Sequence, residues 1–144
     1  MSIKKQEEIL AEIYRNAQLA LTSIADILPA INDEKLKAEI IRQHEEYEKI
    51  SAKASVLAQN YGYEIKGPNV MKKAMMWSSI KMSTLADDST AHIAEMMVQG
   101  TVMGITSLKS SLSESEEGEG EIVSLAKELL ALEEEFERTL KSFI

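Results

Sequence analysis

Residues 33–61 carry a regular apolar series that strongly limits what the chain can fold into. The series steps alternately by four and three residues without a slip, and consists of Leu36, Ile40, Gln43, Tyr47, Ile50, Ala54, Leu57 and Tyr61. In an α-helix this spacing places every member along one line, as in the seam of a coiled coil. We therefore predict a long helix, helix B, from Asp33 to Tyr61, that packs lengthwise against another helix. Gln43 is the polar member of its seam.

Two further segments each carry one apolar face at helical spacing. Helix A is predicted from Ile3 to Leu28, with the stripe Leu10, Ile13, Ala17, Leu21, Ile24 and Leu28. Helix D is predicted from Glu121 to Phe143, with the stripe Ile122, Leu125, Leu129, Leu132, Phe136, Leu140 and Phe143. Pro29 ends helix A, Asn32 or Asp33 can cap helix B, and Gly62 can end helix B.

The residues between helices B and D predict two more helices. A break at residues 67–69 precedes a short methionine-rich helix from Val70 to Leu85. The sequence Asp87–Asp88–Ser89 then predicts a fresh N-cap for helix C, which runs from Ser89 to Leu112; one long kinked helix is the alternative. Helix C contains a Gly-x-x-x-Gly spacing at residues 100 and 104, which lets a neighbouring helix approach closely.

These elements predict an all-α fold in a single domain over residues 1–144. The chain has two prolines and six glycines, and no strand-like alternation of apolar and polar residues. Two hairpins, A–B and C–D, are joined by a connection long enough to run the length of a helix. Helices B and C can then lie parallel, which is a ferritin-like up-down four-helix bundle with a long B–C crossover containing a short extra helix.

Helix C carries a polar stripe, His92, Glu95 and Gln99, on a helix that is otherwise apolar on almost every side. This composition predicts that helix C lies at the centre of the bundle, where such groups cost several kcal/mol to bury unless they have partners. Either they form a hydrogen-bonded network or they hold a ligand. If helices A and B turn near Ile31, Asn16 lies opposite Glu46, and if helices C and D turn near Glu116, Gln99 lies opposite Glu133. Asn16, Gln99 and Glu133 are then expected near the middle of the bundle. Candidate metal ligands are therefore His92, Glu95, Gln99, Glu133 and His44.

The spacing of these candidates decides between the two interpretations. A ferritin-like carboxylate site uses a Glu from each of two helices and a Glu-x-x-His pair from each of the other two. Here Ile41 precedes His44 by three residues and Ser89 precedes His92, so only the reversed order His92-x-x-Glu95 occurs. The spacing favours a structural polar core over a bound transition metal. His44 also has several charged neighbours, which favour a solvated face.

Three short blocks resemble a known group of proteins. They are Asn16–Ala17–Gln18, residues 89–96 together with the helix break just before them, and residues 100–105. In this combination the chain resembles uncharacterised bacterial ferritin-like proteins of about this length, over roughly Glu8 to Leu140. The resemblance implies a ferritin-like helical bundle. The chain differs from di-iron oxidases and iron-storage proteins because it lacks their paired Glu-x-x-His motifs.

Charge and composition exclude several classes of function. The net charge of −8 argues against binding of nucleic acid over the whole surface. The chain contains no cysteine, hence no disulfide and no thiolate metal site. Its first residues form a charged helical pattern instead of a signal-peptide core, which predicts a cytoplasmic protein. The sequence contains no nucleophile motif, phosphate loop or dinucleotide pattern.

The leading functional prediction is a non-enzymatic binding or structural module that self-associates into a homo-oligomer. The alternative is a metal-binding or redox protein that holds Fe, Mn, Zn or Cu with His92 and Glu95, and with Glu133, Gln99 or His44 as a further ligand. A third hypothesis makes the basic helix from Val70 to Leu85 a docking site for a membrane or an acidic partner. The sequence favours the alternative, in which the bundle is covered by Met71, Met75, Trp77 and Met82 while the lysines face water.

Overall fold

The computed structural model of the chain describes residues 3–113 and 120–144, and these are helical throughout apart from short connections. The described residues contain no strand. The helices are α1 (Ile3–Ile27), α2 (Glu34–Tyr61), α3 (Val70–Ala86), α4 (Thr90–Ser113) and α5 (Glu121–Lys141), with a 3-10 turn at Leu28–Ala30. The predicted all-α class is confirmed. Residues 87–89 separate α3 from α4, so the alternative of one kinked helix is wrong.

Local sequence signals account for the helix ends. The Asp33 side chain caps α2 by accepting a hydrogen bond from the Leu36 backbone N–H at 2.8 Å. Gly62 ends α2 with a φ of 71°, a left-handed conformation in which other residues are strained. Asn69 caps α3 in the same way as Asp33 caps α2. Ser89 accepts from the His92 backbone N–H at the start of α4.

Helices α1, α2, α5 and α4 pack in that order around a common core. Gln18 donates to Ser51, and Tyr63 donates to Gln6, so α1 and α2 are antiparallel. On the α2–α5 side two ion pairs fix an antiparallel register. They join Lys53 to Glu128 and Arg42 to Glu135.

Helix α3 connects the two hairpins by running along the outside of α1. Just before α3, the backbone at Gly67 lies beside the Tyr14 ring of α1. A Cβ placed on Gly67 would be 3.8 Å from that ring. Near the other end of α3, Lys81 lies close enough to Asp26 of α1 for its positive charge to interact with the carboxylate. Helix α3 is therefore parallel to α1 and delivers the chain to the end from which α4 returns. It follows that α2 and α4 are parallel, as predicted.

The predicted stripes form most of the core. Its largest fully buried side chains are Phe136, Ile9, Leu10, Ile13, Ile24, Ile27, Leu36, Ile40, Ile50, Ile93, Leu108 and Leu129. The last member of the α2 seam is an exception, because Tyr61 is exposed and stacks on Tyr63 with ring centroids 5.5 Å apart. Among the described residues no helix is long and apolar enough to cross a membrane.

The prediction that helix C is surrounded by other helices is wrong. Helix α4 buries one face only, with Ile93, Ala94, Met97, Thr101, Ile105 and Leu108. On the other side Glu95, Gln99 and Met103 are exposed. The reason is that α3 covers α1 instead of α4, so the apolar residues on the outer side of α4 meet solvent.

Candidate functional site

One residue from each of the four core helices contributes to a polar cluster inside the bundle. Glu133 on α5 is only 1% exposed. Its Oε1 accepts a hydrogen bond from Asn16 Nδ2 at 3.1 Å, and its Oε2 accepts from the Tyr47 hydroxyl at 2.9 Å. Asn16 Nδ2 also donates to the backbone carbonyl of Gly104 at 3.1 Å. We call Asn16, Tyr47, Gly104 and Glu133 the polar centre.

Gly104 makes room for this cluster. A Cβ at this position would lie 2.6 Å from Glu133 Oε2, closer than such atoms approach, and it would make a tight contact of 3.1 Å with the side-chain amide of Asn16. Gly100 has no neighbour within 4 Å at the same point. Of the two glycines in the Gly-x-x-x-Gly spacing, only Gly104 makes the predicted close approach. It packs against the polar side chains of Asn16 and Glu133 instead of against the backbone of another helix.

Burial controls the ionisation of the polar centre. It raises the pKa of Glu133 from 4.5 to about 7, because the charged carboxylate loses its hydration. The hydrogen bonds from Tyr47 and Asn16 oppose this rise, and the negative charge of Glu12 adds to it. Burial also raises the pKa of Tyr47 well above its usual value, with a further contribution from Glu133. Chemically, the site can hold or release one proton near neutral pH.

A second buried amide lies one turn away on α2. Gln43 is 1% exposed, and its Nε2 has no hydrogen-bond partner among the described residues. The predicted polar member of the seam is thus buried as expected. Thr101 is also buried, and its hydroxyl donates to the Met97 carbonyl one turn back on α4. Both residues are polar groups in the bundle interior, but no hydrogen bond joins either to the polar centre.

The candidate ligands on α4 do not reach the polar centre. The His92 ring Nε2 lies 2.7 Å from the Ser83 hydroxyl and so links the start of α4 to α3. Glu95 and Gln99 face solvent. His92 precedes Gly104 by twelve residues, which is about 18 Å along a helix at 1.5 Å per residue. The predicted stripe is therefore a surface feature over most of its length.

His44 lies outside the bundle, where its Nδ1 is 3.0 Å from Glu48. The predicted solvated face is thus observed. Of the five candidate ligands, Glu133 alone belongs to the polar centre, and the structure brings no two of them together by a hydrogen bond or ion pair. In the described part of the chain, no group of three His, Cys, Asp or Glu could hold a metal ion. The structure therefore does not bring the five predicted ligands together at one point.

The levelling of the hairpins was wrong in register. Gly104, instead of Gln99, lies beside Glu133. In the first hairpin, the contact between Gln18 and Ser51 shows that the midpoint falls after residue 34, whereas the prediction placed it near Ile31. The first turns of α2 therefore extend beyond the end of α1, so the two helices do not start level at the turn.

A second candidate site is the side of α3 that faces away from α1. Only Ile80 of this helix is buried. The exposed fractions are 74% for Met71, 69% for Met75, 71% for Met82 and 86% for Leu85. With the exposed Ser78 these four residues form a continuous strip, which we call the outer face of α3. The sequence had favoured methionines that cover the bundle, but only Met76 packs partly against the core.

Comparison with known proteins gives no match: no family model fits the chain, and no curated protein or solved structure is significantly similar to it. The resemblance to bacterial ferritin-like proteins therefore stays a prediction. What the chain does must be inferred from the two sites described above.

Proposed function

We propose that this protein is a non-enzymatic, ferritin-like helical bundle that self-associates and serves as a binding or structural module. The observation that carries the proposal is the outer face of α3, where four large apolar side chains are each more than two-thirds exposed. Contiguous apolar patches of this kind mark interaction surfaces, whereas single exposed apolar residues need no explanation. The two antiparallel hairpins and the α3 crossover support the ferritin-like part of the proposal.

The polar centre supports a structural role in the same module. Both oxygens of Glu133 already have hydrogen-bond partners, and the carboxyl is shielded from solvent. A group in this state is poorly placed to meet a substrate. Because Asn16, Tyr47 and Glu133 come from three different helices, their hydrogen bonds form only in one register. A buried polar contact of this kind can specify register at a cost in stability.

Charge adds to the case for a second copy as the partner. Residues 65–86 carry a charge of +4, from Lys66, Lys72, Lys73 and Lys81. Because the whole chain has a net charge of −8, the remaining residues together carry −12. The apolar helix is thus locally basic in an acidic protein. Another copy of the chain offers an acidic surface to it, and complementary charge of this kind favours specific association.

Sedimentation equilibrium over a wide range of concentration tests the proposal. The parent chain should exceed its monomer mass of 16.0 kDa as concentration rises. A variant with Met71→Gln, Met75→Gln and Met82→Gln should stay monomeric, because these changes remove the apolar contact while keeping good helix formers. The matched control is Val102→Gln with Met103→Gln on the exposed side of α4, which should associate like the parent. A parent chain that is monomeric at every concentration would overturn the proposal.

A further inference from the structure

We propose that the outer face of α3 pairs antiparallel with the same face of α3 in a second copy, around a two-fold axis near Ser78. This inference rests on the proposed self-association and adds the surface, the orientation and the symmetry. A two-fold contact uses one surface patch on both copies, so the patch must be complementary to itself. The apolar spacing and the charges of α3 both meet that requirement.

The outer face has the spacing of a coiled-coil seam. Its residues, 71, 75, 78, 82 and 85, are separated by four, three, four and three positions. Such a series stays on one side of a helix over its whole length, here about 21 Å at 1.5 Å per residue. The natural partner for a straight apolar strip of this kind is another helix. A small residue, Ser78, at its middle lets two such helices approach closely.

The seam lies opposite the side by which α3 is attached. Ile80, the one buried residue of α3, is two positions from Ser78 and therefore about 200° away around the helix. The hydrogen bond between Ser83 and His92 also lies on the attached side. Pairing through the outer face thus leaves every contact of α3 with its own bundle in place. A second bundle can dock without rearrangement of the first.

Charge selects the antiparallel orientation. Lys72 and Lys73 lie in the first turn of α3 and Lys66 lies shortly before it, whereas Asp87 and Asp88 directly follow its C-terminal end. All but Lys73 are exposed. Antiparallel pairing places the lysines of each copy near the aspartates of the other, at both ends of the contact. Parallel pairing would put lysine beside lysine and aspartate beside aspartate, which is unfavourable.

The same charges make a membrane a poorer partner than a second copy. A vesicle with anionic lipid attracts the lysines of α3 but repels Asp87 and Asp88 just beyond its C-terminal end. A second copy offers the aspartates as partners for the lysines. Its remaining charge is largely screened beyond about 8 Å at physiological ionic strength.

Cysteine trapping tests the surface, the axis and the orientation together, because the chain contains no cysteine of its own. Position 78 lies near the axis, so two copies of Ser78→Cys should oxidise with diamide to a covalent dimer. The matched control is Ser107→Cys, another exposed serine on a helix. Since pairing raises the effective thiol concentration at the axis to roughly millimolar, the dimer should form at least about tenfold faster for Ser78→Cys at micromolar protein.

Orientation is read from a mixture of two single variants, Met71→Cys and Leu85→Cys. Antiparallel pairing predicts that the mixture forms the 71–85 disulfide, and that neither variant alone dimerises readily. Rapid homodimers of Met71→Cys would show parallel pairing and overturn the inference. If the parent associates but Ser78→Cys oxidises no faster than Ser107→Cys, the inference fails while the proposed function stands.

Two further outcomes separate the inference from the proposal it rests on. A parent chain that never associates defeats both. A monomer that sediments with vesicles containing anionic lipid, but not with neutral vesicles, identifies α3 as a membrane-docking helix and overturns the pairing.

Discussion

Replacing Glu133 by Gln should change how the stability of the protein depends on pH. The carboxyl of Glu133 titrates near 4.5 in the unfolded chain, and its pKa rises to about 7 in the folded protein. The folded state therefore binds more protons than the unfolded state between these two values. As the pH rises through this window, the free energy of unfolding must fall.

The size of the effect follows from the pKa values. A shift from 4.5 to about 7, at 1.36 kcal/mol per unit, corresponds to a loss of about 3 kcal/mol of stability above pH 7. Gln is nearly isosteric and cannot ionise. Its carbonyl oxygen can accept from Asn16, and its amide can donate to the Tyr47 hydroxyl, which is able to act as an acceptor. The variant should thus keep the hydrogen bonds and lose the pH dependence.

Urea denaturation of parent and variant at a series of pH values from 4.5 to 8 measures this. The difference in free energy of unfolding, variant minus parent, should increase with pH and gain about 3 kcal/mol across the series. Glu45→Gln is the control, because this residue is exposed on α2 and takes no part in the ion pairs that join α2 to α5, and its effect should stay within about 0.5 kcal/mol at every pH. A difference between Glu133→Gln and the parent that is the same at pH 4.5 and pH 8 would refute the argument from burial.

Three other changes probe the same region. Gly104→Ala should be less stable than Gly100→Ala by about 1–3 kcal/mol in denaturant melts, because only the first introduces a Cβ against the polar centre; equal stabilities would show that Glu133 can move aside freely. Tyr47→Phe removes a hydrogen bond that lowers the pKa of Glu133. The free energy of unfolding should therefore fall by about 1–3 kcal/mol at pH 8 and by less at pH 4.5. A loss of stability that is the same at both pH values would contradict this. Added Fe, Mn, Zn or Cu should not raise the melting temperature, and a stoichiometric shift that is lost in His92→Ala would instead revive the metal-binding alternative.

The helices were predictable because their signals are local. The seam of α2, the capping Asp33, the terminating Gly62 and the break at residues 87–89 all act within a few residues of the chain. Four helices of this kind, with one long connection, leave few arrangements. The all-helical class and the order of the elements therefore follow from the spacing of apolar residues together with these caps and breaks.

The polar centre was only partly predictable, because it depends on register between helices. Asn16 and Glu133 were expected near mid-bundle, but a shift of five residues in the second hairpin replaced Gln99 by Gly104. No local signal reports the length of a connection to that accuracy. Tyr47 was missed as a polar partner because its place in the helix B seam indicates an apolar member. A buried tyrosine nevertheless needs a hydrogen-bond partner for its hydroxyl.

The exposure of α3 was not predictable, since nothing in its composition says which helix it lies against. Its apolar residues fit both a covering helix and a docking helix. Packing against α1 uses one side, through Ile80, and leaves the methionines of the other side in solvent. That choice is made by the tertiary structure, and it also leaves the outer side of α4 uncovered.

Amide hydrogen exchange of α3 at low and high protein concentration tests the central claim most directly. Helix α3 packs mainly against α1 and buries a single residue, Ile80, so its amides should open locally more readily than those of the core helices. If the outer face of α3 is the contact between copies, association stabilises it by mass action. The account predicts slower exchange over residues 70–86 at high concentration, with exchange in α2 unchanged. Exchange rates in α3 that are the same at both concentrations would contradict it.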